Sequence, residues 1–196
     1  MATTKRRSNG KKTDSQPLLH QDGAIVQDFD QLRELPLALD PEVRREMADA
    51  LNPILADTQI LASLYKKTHW LMRGATFYQL HLLMDKHAGE QLALIDSIAE
   101  RIQTLGAIAV GDPRHAAELT TIPRPPDGAE EVPAMLSRIL DGHETIVAKA
   151  RDLAGRADEA EDYATNDLLA SQVLPVNEMQ VWFVAEHLVD TPLVRA

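Results

Sequence analysis

Apolar residues recur at three- and four-residue intervals through most of this 196-residue chain, and the intervals fail only where glycine and proline gather. Across residues 41–72 the series Leu51, Ile54, Leu55, Thr58, Leu61, Ala62, Tyr65 and His69 keeps to one helical face, and Gly74 ends it. Asp40 before Pro41 supplies a cap and a first-turn proline. Pro53 falls inside the pattern and predicts a kink, or a break between a short leading helix and a longer one capped by Asn52. A second series spans residues 77–105 and stops at Gly106, after a turn short enough for an antiparallel helix pair.

Residues 111–128 hold Pro113, Pro123, Pro125 and Pro126, so they read as a long connection with a short helix at 114–119. Such a crossover is expected where two consecutive helices of a four-helix bundle run parallel. Two further helical patterns cover about 129–156 and 163–189, divided by the acidic stretch 157–162, and Pro175 predicts a local kink or bulge in the last. No strand-type alternation of any length occurs. The expectation is an all-α four-helix bundle at residues 40–190. It carries an N-terminal extension, 1–39, whose first 23 residues are polar and read as mobile, and a short tail, 191–196. Phe29, Leu32 and Leu35 suggest that the remainder of the extension lies across the body.

Charge divides the chain in two. The net charge is −10, yet Lys5, Arg6, Arg7, Lys11 and Lys12 stand against Asp14 alone in the first 16 residues, so a basic tail of +4 is joined to a body near −14. The absence of cysteine excludes disulfides and thiolate metal sites, leaving imidazole and carboxylate as ligands for iron, manganese or zinc. The basic start is followed by polar residues rather than an apolar stretch, and no run approaches membrane-spanning length, so a soluble cytoplasmic protein is expected.

Within this frame His69, His81, Asp85, Asp96 and Glu100 form the candidate chemistry. His81 with Asp85, and Asp96 with Glu100, are i, i+4 pairs, each on one helix face. Asp85 and Asp96 are eleven residues apart, roughly 16 Å along a helix, too far for one ion. Either these are unrelated sites, or the second pair serves a site completed by another copy of the chain in a twofold dimer. Leu92, Ile95, Ile98, Ala99 and Ile102 flank the acidic pair, so its face is expected near an interface. Two imidazoles with three carboxylates suit Fe(II) and the Fe(III) product. A hydrolytic zinc centre would more often show His-Glu-x-x-His, and a di-iron site buried in one bundle would show Glu-x-x-His; the chain has neither.

His69-Trp70, Arg73-Gly74, Phe77, His81, Asp85, Asp96 and the run Ala99-Glu100-Arg101-Ile102 with Leu105-Gly106 resemble the Dps family, the ferritin-like mini-ferritins. The resemblance implies a ferroxidase centre between twofold-related subunits, with His69, His81 and Asp85 of one facing Asp96 and Glu100 of the other. It implies a hollow homododecamer that binds Fe(II), oxidises it with hydrogen peroxide in preference to O2, stores the ferric oxide and so protects DNA. Zinc or manganese would be competing ions. Rival readings are another ferritin-like di-metal protein, or a nucleoid-compacting DNA-binding protein with a secondary metal role.

Trp70, beside His69, reads as an interface-packing residue, with quenching of radicals as the alternative. The acidic turn before the fourth helix reads as a solvated junction, or, by resemblance, as the lining of threefold iron-entry pores by Glu161, Asp162 and Asp167, where a carboxylate ring would concentrate cations. Pro175 adds a residue relative to the family pattern and shifts that register. The tail lysines and arginines could contact DNA phosphates without sequence preference. His87 reads as structural or exposed; His20, His115 and His187, the last with Asp190, are weak extra metal candidates, and His143 lacks a carboxylate partner at ligand spacing.

Overall fold

The computed structural model describes residues 23–190, so Lys5, Arg6, Arg7, Lys11, Lys12, His20 and the last six residues lie outside the described residues. Helix α1 spans Pro41–Leu71, α2 Phe77–Leu105, the short α3 Pro113–Leu119 and α4 Val132–Glu159. The fourth bundle helix is composite: α5, Tyr163–Leu168, passes through a π-helical turn, Leu169–Val173, into α6, Leu174–Ala185, and a final 3-10 turn, Glu186–Leu188. The fold is all-helical among the described residues, a four-helix bundle with its long crossover between α2 and α4.

Helix α1 begins where Asp40 accepts from the Glu42 N–H at 2.8 Å and Pro41 occupies the first turn. Contrary to the sequence expectation, it then runs through Pro53 as one 31-residue helix. Asn52 caps nothing. Its amide donates to the Ile108 carbonyl at 3.1 Å and accepts from the Val110 N–H at 2.8 Å, clamping the start of the crossover. Leu51, Ile54 and Leu55 around the proline are all buried. Burial of such side chains contributes about 1.5–3 kcal/mol each, together more than the roughly 3 kcal/mol that an interior proline costs.

Helix α2 ends at Gly106, whose φ of +97° lets the Ala107 N–H turn back to the Ile102 carbonyl at 3.2 Å. A Cβ at this glycine would lie 2.5 Å from the Arg33 carbonyl oxygen, because the extension crosses there. The Arg33 N–H donates to the Gly106 carbonyl at 2.8 Å, and the buried Arg44 guanidinium donates to the Arg33 and Leu105 carbonyls. The crossover is held at its far end by Asp57, fully buried in α1, which accepts from Thr120 Oγ1, the Thr121 N–H and Lys149 Nζ on α4.

Pro175 has the local consequence its chemistry demands. Lacking an N–H, it cannot donate into the fourth helix, and immediately before it the Leu174 N–H reaches back five residues to the Leu169 carbonyl. The π turn accommodates one extra residue while Leu169 and Val173 stay buried.

Candidate metal centre

The hairpin of α1 and α2 brings His69 and His81 face to face, their rings stacked with centroids 3.7 Å apart. Each ring is clasped by the other residue's backbone: His69 Nδ1 lies 2.7 Å from the His81 carbonyl oxygen, and His81 Nδ1 lies 3.0 Å from the His69 carbonyl oxygen. A carbonyl only accepts, so both Nδ1 atoms carry the hydrogen and, in the neutral rings, both Nε2 atoms keep a free lone pair. Phe77 stacks on the other side of His81 at 5.1 Å, fixing the ring plane. Fixing tautomer and orientation through the second nitrogen is what a metal-binding imidazole requires.

Asp85 lies one turn beyond His81 on α2, half exposed, and is ion-paired with Lys66 of α1. That ammonium, through its hydrogen bond and charge, holds the Asp85 carboxyl below the ordinary carboxylate range. Asp96 and Glu100 lie farther along the same unbroken helix, both exposed, and neither side chain makes a hydrogen bond or ion pair with another described residue. Since α2 carries both pairs, the helical rise separates Asp85 from Asp96 by roughly 16 Å. Among the described residues no three His, Asp or Glu side chains converge to hold a metal within one chain.

Between the two pairs runs an apolar groove of about 670 Å³, lined by Trp70 and Lys66 of α1 and by Leu92, Ile95 and Ala99 of α2. Trp70 is 70% and Leu92 59% exposed, so this face leaves large apolar side chains uncovered beside four candidate ligands. Of the flank that the sequence placed near an interface, Leu92, Ile95 and Ala99 form an apolar surface in the single chain, while Ile98 and Ile102 are buried in the core.

The chain matches the ferritin-like domain family over residues 48–194. DpsC from Streptomyces coelicolor has the same fold, with a TM-score of 0.86 and 64% identity over 87% of this chain and 99% of that one. The chain belongs to the Dps family. A nutrient stress-induced DNA-binding protein of Synechococcus sp. is 30% identical over 172 residues, 88% of this chain and 97% of that protein. An uncharacterized protein of Kitasatospora aureofaciens is 61% identical over 142 residues, 72% of this chain and 95% of that protein.

Not every residue expected to act in this Dps-family chain is placed to do so. Asp162 is no lining residue: its side chain is 2% exposed, ion-paired with Arg101 of α2, and it caps α5 by accepting from the Thr165 N–H at 3.1 Å. The acidic residue immediately before a helix is the N-cap position, which outweighs its place in an acidic run. Glu161, at φ +58°, and Asp167, which accepts from Ser171 Oγ at 2.7 Å, remain exposed. His115 packs edge-on against Phe29 of the extension rather than joining a carboxylate cluster. His187 is exposed in the final turn, and no described residues complete a metal site around it. No helix among the described residues is long and apolar enough to cross a membrane.

A second polar constellation escaped the spacing argument. Tyr65, His87, Gln91, His143, Asn177 and Gln180 are fully buried and meet at the centre of the bundle, one or two from each long helix. Their positions on the apolar stripes were the available signal: His87 and Gln91 continue Leu80 and Met84, and His143 continues Leu136 and Ile139.

Proposed function

We propose that this protein is an iron-oxidising, iron-storing mini-ferritin whose ferroxidase centres are shared between twofold-related subunits. His69, His81 and Asp85 of one subunit face Asp96 and Glu100 of the partner subunit, and the apolar groove with Trp70 is the surface that the partner covers. The observation that carries this reading is the reciprocal clasp of His69 and His81, which fixes two imidazoles with unengaged Nε2 atoms beside an exposed carboxylate, while two more unpartnered carboxylates stand roughly 16 Å away on the same helix.

Imidazole and carboxylate together bind Fe(II) as substrate, and three carboxylates balance the added charge of Fe(III). Hydrogen peroxide takes two electrons in becoming two waters, so the oxidation of two ferrous ions consumes one peroxide and releases no radical. The ferric product is then stored within a shell built from twelve copies, with Glu161 and Asp167 as candidate pore residues. The basic residues of the tail, Lys5, Arg6, Arg7, Lys11 and Lys12, offer DNA a multivalent, salt-sensitive contact, in keeping with the DNA-binding relative at 30% identity.

Mixing tests the sharing directly. A variant with His81→Ala and Asp85→Ala and one with Asp96→Ala and Glu100→Ala should each lose about 100-fold or more of peroxide-driven Fe(II) oxidation, since loss even of outer-shell partners costs 10–100-fold. Co-assembled from the denatured state, they should recover roughly a quarter of wild-type activity, because random pairing of two copies restores one intact centre in every mixed dimer. Two inactive parents that stay inactive when mixed would place the centre within one chain or remove it.

A further inference from the structure

The buried constellation at the bundle centre has a direction that follows from hydrogen-bond chemistry alone. Asn177 Nδ2 donates to the Val173 carbonyl at 2.7 Å, so its Oδ1 is the acceptor that faces His143 Nδ1 at 2.8 Å. His143 therefore carries its hydrogen on Nδ1, and its Nε2 is a lone pair. Tyr65 lies 2.6 Å from that Nε2 and must be the donor. The Tyr65 oxygen in turn accepts from His87 Nδ1 at 3.2 Å. On the far side Gln91 Nε2 donates to Gln180 Oε1, and Gln180 Nε2 donates to Glu90 at the rim of the core. Both rings are held neutral, because burial pushes His143 and His87 down to about 4.

A bundle core needs none of this for stability, since apolar residues of similar volume would fill it without directed bonds. What the arrangement provides is a phenol with a neutral imidazole waiting on its proton. An oxidised phenol that kept its proton would be an uncompensated buried cation, at a cost of several kcal/mol. Transfer of the proton across one short hydrogen bond to His143, as the electron leaves, gives a neutral phenoxyl and places the charge on an imidazolium, which is a far weaker acid than the oxidised phenol and donates through Nδ1–H to Asn177 Oδ1. Tyr65 stands four residues before His69 on the same continuous helix, a rise of roughly 6 Å. The other two tyrosines, Tyr78 and Tyr163, are 67% and 63% exposed and have no such acceptor among the described residues.

We propose that Tyr65, with His143 as its proton acceptor, is a buried one-electron donor to the metal centre one turn away. The inference rests on the ferroxidase reading above. It answers a shortfall: a centre holding a single ferrous ion can give peroxide one electron and would release a hydroxyl radical. With Tyr65 the step balances as Fe(II) + H2O2 + Tyr65–OH + His143 + 2 H+ giving Fe(III) + 2 H2O + Tyr65–O• + His143–H+. The O–O bond breaks; one electron comes from iron and one from the phenol, whose proton moves to His143, and the other two protons come from solvent. A second Fe(II) then reduces the phenoxyl as His143 returns the proton, so the sum is two ferrous ions per peroxide.

The full-length chain with Tyr78→Phe and Tyr163→Phe retains Tyr65 as its sole tyrosine and decides the matter in two arms. In the first, without iron, azide radicals from pulse radiolysis oxidise Trp182, which is 61% exposed. The expected result is decay of the tryptophan radical into a phenoxyl signal at a rate independent of protein concentration, with loss of that signal when Tyr65→Phe is added. With His143→Gln, checked for assembly and unfolding, the transfer should slow and its solvent deuterium effect should vanish. Ring-deuterated tyrosine, which leaves the fold untouched, should collapse the electron paramagnetic resonance splittings. Absence of the phenoxyl, or its undiminished formation with His143→Gln, overturns the dyad. In the second arm Fe(II) and limiting peroxide are freeze-quenched. Intact iron oxidation with no phenoxyl overturns Tyr65 as the second donor while leaving the ferroxidase reading in place. Absent iron oxidation overturns the ferroxidase reading, and the iron-free arm still judges the dyad.

Discussion

The two histidine-bearing regions of this Dps-family chain are built on opposite terms. At the α1–α2 face the polar atoms that could do chemistry are left unengaged: two Nε2 lone pairs, and the carboxylates of Asp96 and Glu100. In the bundle centre the hydroxyl of Tyr65 and both nitrogens of His143 are engaged within the same chain. Polar groups that a fold satisfies internally hold that fold together and tune one another; groups it orients but leaves open are set for something that arrives from outside. In the proposed function the surface set awaits an ion and a second subunit. The interior set is satisfied around Tyr65 and His143, with His87 Nε2 and Gln91 Oε1 its unpartnered buried atoms among the described residues, and the chemistry proposed for it is the movement of protons and electrons.

The sharpest break of that contrast is in stability. His143→Leu leaves the Tyr65 hydroxyl without its acceptor and removes one of the two donors to Asn177 Oδ1, the other being Gln91 Nε2 at 3.2 Å. An orphaned buried hydroxyl costs about 1–3 kcal/mol, so the variant should lose about that much in guanidinium unfolding at fixed protein concentration. His81→Ala with Asp85→Ala, which abolishes a proposed function, should change stability by less than about 1 kcal/mol, because those side chains are only partly buried. Equal losses from the two variants would show that the surface set also carries the fold.

Acid separates the two regions by a smaller step, counted per histidine and per pH unit. His87 and His143 titrate near 4 in the folded chain, against about 6.5 when unfolded. Between those values the unfolded state binds protons that the native state refuses, so stability is intact above 6.5 and falls as pH is lowered toward 4. The slope is up to about 1.4 kcal/mol per pH unit for each histidine, and it vanishes below 4, where both states are protonated. His87→Gln should remove about half of that slope. A pH profile of unfolding unchanged by this substitution would mean that His87 is hydrated in solution.

The same contrast explains what was legible in the sequence. Helices announce themselves through amphipathic stripes, and α2 was readable from Phe77 to its glycine stop because Leu80, Met84, Leu94, Ile98 and Ile102 mark one face. The candidate ligand pattern was readable too, since imidazoles and carboxylates at i, i+4 spacing are a one-dimensional signal, and helix length alone forbids a single ion from reaching both pairs. Pro53 misled because a local cost was weighed without the tertiary burial of Leu51, Ile54 and Leu55 that exceeds it. Asp162 misled because charge density was read ahead of its capping position. The interior network was hidden for a deeper reason: Tyr65, His143 and Asn177 are far apart in sequence, and only the packing of three helices brings them within hydrogen-bond reach.

The smallest expected effect lies on the open face. Lys66 pairs with Asp85 in the free chain, and its hydrogen bond is the main reason that the Asp85 carboxyl sits below its ordinary range, with His69 and His81 adding weaker pulls. Lys66→Met should therefore return Asp85 toward an ordinary carboxylate titration, read by carbon NMR of selectively labelled aspartate. Stability should barely move, because both side chains are substantially exposed and water screens the pair. The physical point is the sign. In the proposed function that ammonium sits on a ligand carboxylate and is a charge that an incoming ferrous ion must displace, so the metal-free titration of Asp85 would report how strongly the site is held shut. A titration that stays low in the Lys66→Met variant would transfer that role to the stacked pair His69 and His81, and with it the control of entry from a mobile side chain to a fixed one.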